Sequence, residues 1–286
     1  MKQIIIIMRS IIVGTDFSEG SYVALELAID IANRMECDLQ VIWVRRPKRL
    51  MDDDQVDMLS KLAEEKLVSL CEKYQPMMKS GKMRWEICEG KVAPTLARHA
   101  IHSSAPLIVI GTNGASGFEK YWMGSTAVRI VQEATVPVIT IRQGFNFHKD
   151  LERIVVPLRV NLNSRQKVPP AAEIARLFDS EVHLLGLFDD EAQTNELQIY
   201  LMQAAELLGK EGIRCTSAMK KYTNYSDALL GYAESIDADL VVINTEQDRM
   251  LAQLFLGTNA QQIVHNAQIP VLSVHPNDKI FTLSKS

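Results

Sequence analysis

The stretch Ile110-Gly111-Thr112-Asn113-Gly114, followed after nine intervening residues by Gly124-Ser125-Thr126, decides how this sequence is interpreted. Its pattern is G-x2-G-x9-G-S/T. It follows the apolar run 107–110, which predicts a buried strand, and it precedes residues 127–131, where apolar residues recur at helical spacing. A glycine-rich loop between a strand and a helix N-terminus presents free amides and the positive end of the helix dipole to an anion. Ser125 and Thr126 add hydroxyl donors, so the motif predicts nucleotide binding.

Length and composition indicate a globular protein with two ordinary domains. The chain has 286 residues, of which 47% are hydrophobic and 23% charged. A formal net charge of -4 without a basic block argues against nucleic-acid binding. The four cysteines form no C-x-x-C pair, which predicts scattered reduced thiols. Residues 4–7 favour a core strand over a signal peptide, and no apolar run reaches the roughly 18 residues of a membrane helix. We therefore expect a cytoplasmic protein with no membrane partner.

The sequence repeats itself at about half its length. The segment 154–156 matches 11–13, which lies 143 residues earlier, and 269–271 matches 136–138, which lies 133 residues earlier. In both copies, β-rich runs alternate with helical patterns, which predicts a parallel α/β sheet. Predicted strands of the first copy lie at 11–13, 39–44, 83–87, 107–110 and 136–141, and predicted helices at 18–35, 53–74, 93–102 and 125–133. We predict two domains, residues 1–146 and 147–286, divided within a polar stretch.

Three segments of the first copy are expected to meet at one ligand site. Ligands of an open parallel sheet bind beyond the carboxyl ends of the strands, where the strand order reverses. Asp16 follows the first strand, Val44 ends the second, and Gly111 follows the fourth. Asp16 can accept hydrogen bonds from ribose hydroxyls or an amino group, and the backbone of Val44 can pair with a purine edge. The alternatives are that Asp16 caps the first helix, a role compatible with ligand binding, and that the glycines only permit turns.

These residues resemble those of the universal stress protein family. The resemblance rests on Val13-Gly14-Thr15-Asp16-Phe17-Ser18 and on the full G-x2-G-x9-G-S/T motif, with further likeness at 89–94 and in the Val-Pro-Val-Ile run of the last strand. It covers nearly the whole chain, counted as two copies. It implies that each copy is an open-twisted, five-stranded parallel sheet with flanking helices, of the adenine nucleotide alpha hydrolase-like type. Family members pair through the last strand, so the two copies are expected to pair within one chain, and two chains to form a homodimer.

The resemblance also implies a ligand and a role. Many family members bind ATP, so we expect ATP, with or without Mg, in the first copy. The resemblance implies adenosine contacts from Asp16 and the Val44 backbone, and ribose or phosphate contacts from the motif. The complete predicted site consists of Thr15, Asp16, Val44, Gly111, Thr112, Gly114, Gly124, Ser125 and Thr126. The implied function is a nucleotide-dependent regulatory or stress-response module with an unidentified protein partner.

The second copy keeps the spacing of the motif and its final Gly257-Thr258, but it loses the first two glycines. It has Asn244 for Gly111, Gln247 for Gly114 and Arg159 for Asp16. Glu246 and Asp248 add negative charge where phosphates would lie. A carboxylate about 5 Å from one phosphate charge costs roughly 3 kcal/mol at an effective dielectric constant near 20. We therefore expect one nucleotide per chain, with binding by neither copy as the alternative.

The motif does not support rapid catalysis. A P-loop places a lysine directly before its Ser or Thr, whereas Gly124 precedes Ser125 here. We expect binding with at most slow ATP hydrolysis, and no catalytic residue. One alternative is an adenylate-forming enzyme of the related nucleotide-binding group, which is disfavoured because residues 15–18 replace the usual serine-glycine-rich loop. Another is a scaffold that binds no nucleotide and whose second copy only dimerises.

Two histidines raise a metal hypothesis. His99 and His102 lie three residues apart on a predicted helix, a spacing that also occurs in metal sites. No third ligand is evident nearby in the sequence. We therefore interpret this helix face as solvated and predict no metal site.

Overall fold

Strands and helices alternate through both halves of the chain. The structure, a computed structural model, describes residues 9–45, 53–112, 125–145, 150–161, 163–245 and 259–275. The first half contains β1 (Ser10–Thr15), α1 (Glu19–Met35), β2 (Asp38–Arg45), α2 (Asp53–Tyr74), β3 (Met83–Glu89), α3 (Val92–His102), β4 (Ile108–Gly111), α4 (Ser125–Glu133) and β5 (Val138–Ile141). The second half contains β6 (Arg153–Leu158), α5 (Val168–Phe178), β7 (Glu181–Phe188), α6 (Thr194–Lys210), β8 (Cys215–Lys221), α7 (Tyr225–Ser235), β9 (Leu240–Asn244), α8 (Asn259–Asn266) and β10 (Val271–Val274).

The strands form one sheet in the order β3-β2-β1-β4-β5-β10-β9-β6-β7-β8. Pairings within each half are parallel, whereas β5 and β10 pair antiparallel, with Ile139 opposite Leu272. Each half therefore has the same five-stranded order, and the last strands join the halves. This confirms the predicted tandem parallel sheets and the predicted pairing within the chain. Because the central pair is antiparallel, the carboxyl ends of the two strand sets lie at opposite edges of the sheet.

Pro137 and Pro270 mark the entrances to the two central strands. We predicted the first of these strands to start at residue 136, one residue before Pro137, but both strands start one residue after their proline. A proline has no amide hydrogen to donate to the ladder, so it is tolerated at a strand entrance. Its carbonyl still pairs, since Ile108 N donates to Pro137 O and Val241 N donates to Pro270 O, both at 3.1 Å.

The bounds of α1 follow from local sequence. Ser18 is the N-cap, and its Oγ accepts a hydrogen bond from Ser21 N at 3.3 Å. Glu19 in the first turn and Arg34 in the last turn have the charges that the helix dipole favours. The helix ends where Glu36 adopts the left-handed conformation, with φ of 53°. The predicted helix at 18–35 is thus confirmed. The predicted strand at residues 4–7 lies outside the described residues.

One face of the sheet carries an apolar core that runs through both halves. α1, α2, α5 and α6 cover this face and contribute Leu27, Leu67, Ile174 and Leu201 to the same buried cluster. On the opposite face each half has its own core, under α3 and α4 in the first half and under α7 and α8 in the second. The halves therefore share buried apolar surface across the β5–β10 pair.

Arg34 links the two halves on the shared face. Its Nη1 donates to Leu177 O at 3.2 Å, and its Nη2 lies 2.6 Å from Asp150 Oδ1. The guanidinium carbon lies 4.1 Å from the centroid of the Phe178 ring. A guanidinium suits this place because its planar face stacks on the ring while its edge donates hydrogen bonds.

We expect Arg34→Ala to lower the free energy of unfolding by about 1–3 kcal/mol, because it removes charge-assisted hydrogen bonds between the halves. Urea denaturation followed by circular dichroism measures this change. Lys210→Ala is the control, since Lys210 pairs with Glu206 at an exposed surface and its loss should leave the urea midpoint unchanged. Equal effects of the two substitutions would contradict the role given to Arg34.

The first turn of α1 crosses the end of β4 at very short range. A Cβ on Gly111 would lie 2.6 Å from both the carbonyl carbon and the oxygen of Gly20. These are backbone atoms, which cannot move aside as the end of a flexible side chain can. The packing therefore requires glycine at position 111, whatever else that residue does.

Gly111→Ala should lower the free energy of unfolding by about 1–3 kcal/mol through overpacking. Gly209→Ala, within α6, is the matched control. A Cβ at Gly209 meets no atom within 4 Å, and alanine is favoured over glycine inside a helix by about 0.5–1 kcal/mol. The control should therefore raise stability in the same urea experiment. If both substitutions changed the free energy of unfolding in the same direction, the contact with Gly20 would not be what restricts position 111 to glycine.

Candidate functional site

Three neighbouring strands of the first half end together at one edge of the sheet. Thr15 pairs with Trp43 of β2, and Gly14 pairs with Ile110 of β4. In each of the three strands, the residue that follows this paired set is a predicted site residue: Asp16 after Thr15, Val44 after Trp43, and Gly111 after Ile110. Neighbouring strands lie about 4.8 Å apart. The strand order reverses between β1 and β4. The predicted convergence of these three segments is confirmed, and it lies at the topological switch point of the first half.

A tight turn after β1 fixes the direction of Asp16. Thr15 Oγ1 accepts a hydrogen bond from Phe17 N at 3.1 Å and lies 3.1 Å from Ser21 Oγ. Phe17 has a φ of 63°, a left-handed conformation that is uncommon for a bulky side chain. Thr15 is buried and Asp16 is exposed. The Thr15 hydroxyl thus holds the turn from inside, while the carboxylate of Asp16 faces outward.

Asp16 supports the start of α1 without being its N-cap. Its Oδ1 accepts hydrogen bonds from Ser18 N at 3.1 Å and from Ser18 Oγ at 2.5 Å, and Ser18 is the N-cap residue. The alternative that Asp16 caps the first helix is therefore wrong, because Asp16 instead accepts hydrogen bonds from the cap residue. This local role is compatible with ligand binding.

Val44 directs its backbone toward the β1 side of the sheet. Gly90 N donates to Arg45 O at 2.9 Å, so the carbonyl of Arg45 faces β3. Successive residues of a strand turn their backbone groups to opposite neighbours, so those of Val44 face β1. The pairing of β1 with β2 ends at Thr15. The carbonyl of Val44 is thus placed just beyond the last paired residue of β1, as the predicted purine contact requires.

Phe17, Trp43 and Lys66 form a neighbouring group that the sequence did not reveal. The rings of Phe17 and Trp43 stack with centroids 6.3 Å apart and an interplanar angle of 30°. Lys66 of α2 places its Nζ 5.2 Å from the Phe17 ring centroid. Trp43 also packs against the buried cluster of the shared face. No sequence signal identified Lys66, because it lies 49 residues along the chain from Phe17 on an ordinary helix surface.

Only some of the residues predicted to contact phosphate lie within the described part of the chain. Gly111 packs on Gly20, and Thr112 is buried, with its amide donating to Ile141 O at 2.9 Å. Ser125 is exposed and Thr126 half-buried in α4. Gly114 and Gly124 lie outside the described residues.

The corresponding edge of the second half is bridged by the protein's own groups. Asn244, at the position of Gly111, donates through Nδ2 to the carbonyl of Asn163, which follows β6. Arg159, at the position of Asp16, lies with its guanidinium carbon 4.5 Å from the Tyr225 ring centroid. Its amide donates to Ser164 Oγ at 2.7 Å. The expected negative charges at 246 and 248 lie outside the described residues.

Prolines also change how the first helix of the second half begins. Residues 169 and 170 are prolines, which are tolerated only in the first turn of a helix because they lack an amide hydrogen. α5 accordingly begins at Val168 and is preceded by a 3-10 turn over Ser164–Lys167. Nine residues separate β6 from α5, whereas three separate β1 from α1. The switch point of the second half therefore lacks the close α-helical N-terminus of the first.

Two of the four cysteines are too buried to supply a reactive thiolate. All four are unpaired, as predicted. Burial raises the pKa of both Cys37 and Cys71 to about 11, so each remains a protonated thiol near neutral pH. None of the helices in the described ranges combines the length and apolar character that crossing a membrane requires.

The sequence and the fold were compared with known proteins. The profile of the Universal stress protein family matches residues 8–142 and again residues 151–275. Universal stress protein MJ0531 of Methanocaldococcus jannaschii is 28% identical over 140 residues, covering 47% of this chain and 82% of that protein. A universal stress protein structure from Archaeoglobus fulgidus DSM 4304 is similar over 94% of this chain and 98% of its own, with a TM-score of 0.78 and 19% identity. A universal stress protein solved in complex with cAMP covers 45% of this chain and 100% of its own, with a TM-score of 0.40 and 20% identity.

The family profile accounts for both halves of the sequence, and the Archaeoglobus structure shows the same fold over nearly the whole chain. The chain belongs to the universal stress protein family and carries the family's domain twice.

Proposed function

We propose that the first half binds one adenine nucleotide, ATP, and that the chain acts as a nucleotide-dependent module in the stress response. One observation carries the proposal. The exposed carboxylate of Asp16 and the carbonyl of Val44 stand at adjacent strand ends beside the first-half switch point, whereas Asn244 and Asn163 bridge the equivalent place in the second half. Paired strand ends at a switch point are where open α/β sheets bind nucleotides.

The proposed site has an adenosine side and a phosphate side. Asp16 accepts from the ribose or the amino group, the Val44 backbone pairs with the purine, and Thr15 holds the turn between them. Gly111, Thr112, Gly114, Gly124, Ser125 and Thr126 form the phosphate side, with amides and hydroxyls as donors. A Mg ion bound to the phosphates would take hard oxygen ligands, to which the Ser125 hydroxyl can contribute.

We propose binding with at most slow ATP hydrolysis. Apart from Asp16, the proposed site consists of hydroxyls and backbone groups. Rapid phosphoryl transfer also needs a metal clamp, an oriented water and a cation near the leaving charge. The division into domains 1–146 and 147–286, the cytoplasmic location, a homodimer and a protein partner remain part of the same proposal. The β5–β10 pairing supports a mainly structural role for the second half.

We expect the purified chain to bind about one ATP, and Asp16→Asn to weaken binding about tenfold. Asparagine keeps Oδ1 as an acceptor for Ser18 but loses the charge, and a charged acceptor is worth roughly 1–2 kcal/mol more than a neutral one. Isothermal titration calorimetry gives both the stoichiometry and the affinity. Arg159→Ala, at the same position of the second half, is the matched control and should leave both unchanged.

Two ATP per chain would contradict the single site, and so would an affinity that responds to Arg159→Ala but not to Asp16→Asn. No binding at all would favour the scaffold alternative.

ATP should also protect the amides of residues 113–124 from hydrogen exchange, because phosphates held by these amides would order the segment that connects Thr112 to Ser125. Exchange followed by mass spectrometry, with and without ATP, measures this. The equivalent segment 246–258 is the internal control and should not respond. Unchanged exchange in 113–124 under saturating ATP would remove the basis for nucleotide-dependent regulation.

A further inference from the structure

Glu86, Cys88 and His99 bring three different metal-binding groups together under α3. One ligand atom from each side chain lies within 4.8 Å of the other two. Cys88 Sγ is 3.5 Å from Glu86 Oε1, and His99 Nε2 is 3.6 Å from Glu86 Oε2. We predicted no metal site from sequence because His99 had no third ligand nearby along the chain. The structure supplies two candidate ligands from β3.

Strand alternation explains why these groups meet. Residues two apart on a strand lie on the same face, so Glu86 and Cys88 point to one side of β3. That side is covered by α3, because Cys88 packs against the cluster that contains Leu96. His99 follows Leu96 by three residues and lies on a neighbouring part of the helix surface. The cluster is therefore a product of how β3 and α3 pack.

We propose that Glu86, Cys88 and His99 bind a divalent transition-metal ion of the Zn²⁺ class. Zn²⁺ takes thiolate at about 2.3 Å and imidazole or carboxylate at about 2.0–2.2 Å in a tetrahedral arrangement, which separates ligand atoms by about 3.4–3.6 Å. Glu86 Oε1 lies at about that separation from the thiol and Glu86 Oε2 from the imidazole. With one ligand atom taken from each residue, the three atoms lie within 4.8 Å of one another. The mixed sulfur, nitrogen and oxygen donor set favours Zn²⁺ over Mg²⁺ or Ca²⁺, which prefer oxygen alone.

The surroundings provide further support and one opposing charge. Gln40 Nε2 donates to Glu86 Oε2 at 2.9 Å, an outer contact of the kind that orients metal ligands. A cavity of about 260 Å³ adjoins the three groups, and His102 and Arg98 line it. His102 is not among the groups whose ligand atoms lie within 4.8 Å of one another, so a water would complete the coordination. The Arg98 guanidinium opposes a cation. The Cys88 thiol would release its proton to water on binding the metal, and the resulting thiolate and the Glu86 carboxylate together outweigh that single charge.

The fold itself does not require this cluster. The second half repeats the same strand and helix, with Leu229 in the core where the first half has Leu96. Matching the β7–β8 register to the β2–β3 register, and α7 to α3, places Ala218, Lys220 and Tyr232 at the three ligand positions. The same packing is thus achieved without any metal-binding group, so the three side chains of the first half are not needed to build the core.

Zn²⁺ added to the full-length, chelator-treated protein in nucleotide-free buffer tests the proposal. Gel filtration followed by elemental analysis should find about one Zn²⁺ per chain. Replacement by Co²⁺ should give the near-ultraviolet thiolate-to-metal charge-transfer band, which Cys88→Ser should abolish. Glu86→Gln and His99→Gln should each weaken Zn²⁺ binding more than about tenfold in competition with a chromophoric chelator. Cys71→Ser and His265→Gln are matched controls away from the cluster and should have no effect.

Substoichiometric Zn²⁺, Co²⁺ binding without the charge-transfer band, or a band that persists in Cys88→Ser would each overturn the proposal. Circular dichroism of every variant separates loss of the site from loss of the fold, and Glu86→Gln keeps an acceptor for Gln40. ATP binding measured on the metal-free protein is independent of this result.

Discussion

The antiparallel pairing of β5 with β10 is the interaction on which the rest of the architecture depends. Alone, each half would expose the whole edge of its last strand, and exposed strand edges associate with other chains. In the tandem chain each edge covers the other, and both strands are buried throughout. The pairing makes the apolar face under α1, α2, α5 and α6 continuous, and it brings His275 within 2.7 Å of the Val131 carbonyl, to which its Nε2 donates.

The same pairing separates the two halves functionally. Because β5 and β10 run in opposite directions, the carboxyl ends of their neighbouring strands lie at opposite edges of the sheet. A substitution at the carboxyl-end edge of one half is therefore not restricted sterically by residues at the carboxyl-end edge of the other. The interior has kept equivalent residues, such as Thr112 and Thr245, whose amides both donate at 2.9 Å to the ends of the central strands. The edges have diverged, since Gly111 packs on Gly20 where Asn244 instead reaches across to Asn163.

Both proposed sites lie in the first half and adjoin each other. Val44, assigned to the purine, and Cys88, assigned to the metal, are register partners on β2 and β3. Both side chains belong to the core under α3. The second half has Arg159 and Asn244 at the positions of Asp16 and Gly111, and it completes the sheet and the shared apolar face. Under both proposals, one copy of the duplicated fold carries the polar chemistry, and the other supplies buried surface.

The sequence by itself determined the tandem parallel α/β fold, the strand ends that carry Asp16, Val44 and Gly111, and the loss of those residues in the second copy. Periodicity and motif spacing are local properties, and they can be followed along a chain. Only the tertiary structure decided the contacts between residues that are distant in sequence. These are the close contact of Gly111 with Gly20, the position of Lys66 beside Phe17, and the hydrogen bond from Asn244 to Asn163. His99 shows the limit most clearly. Its candidate co-ligands lie on a different element, and strand-on-helix packing, which no spacing encodes, is what brings a carboxylate and a thiol to it.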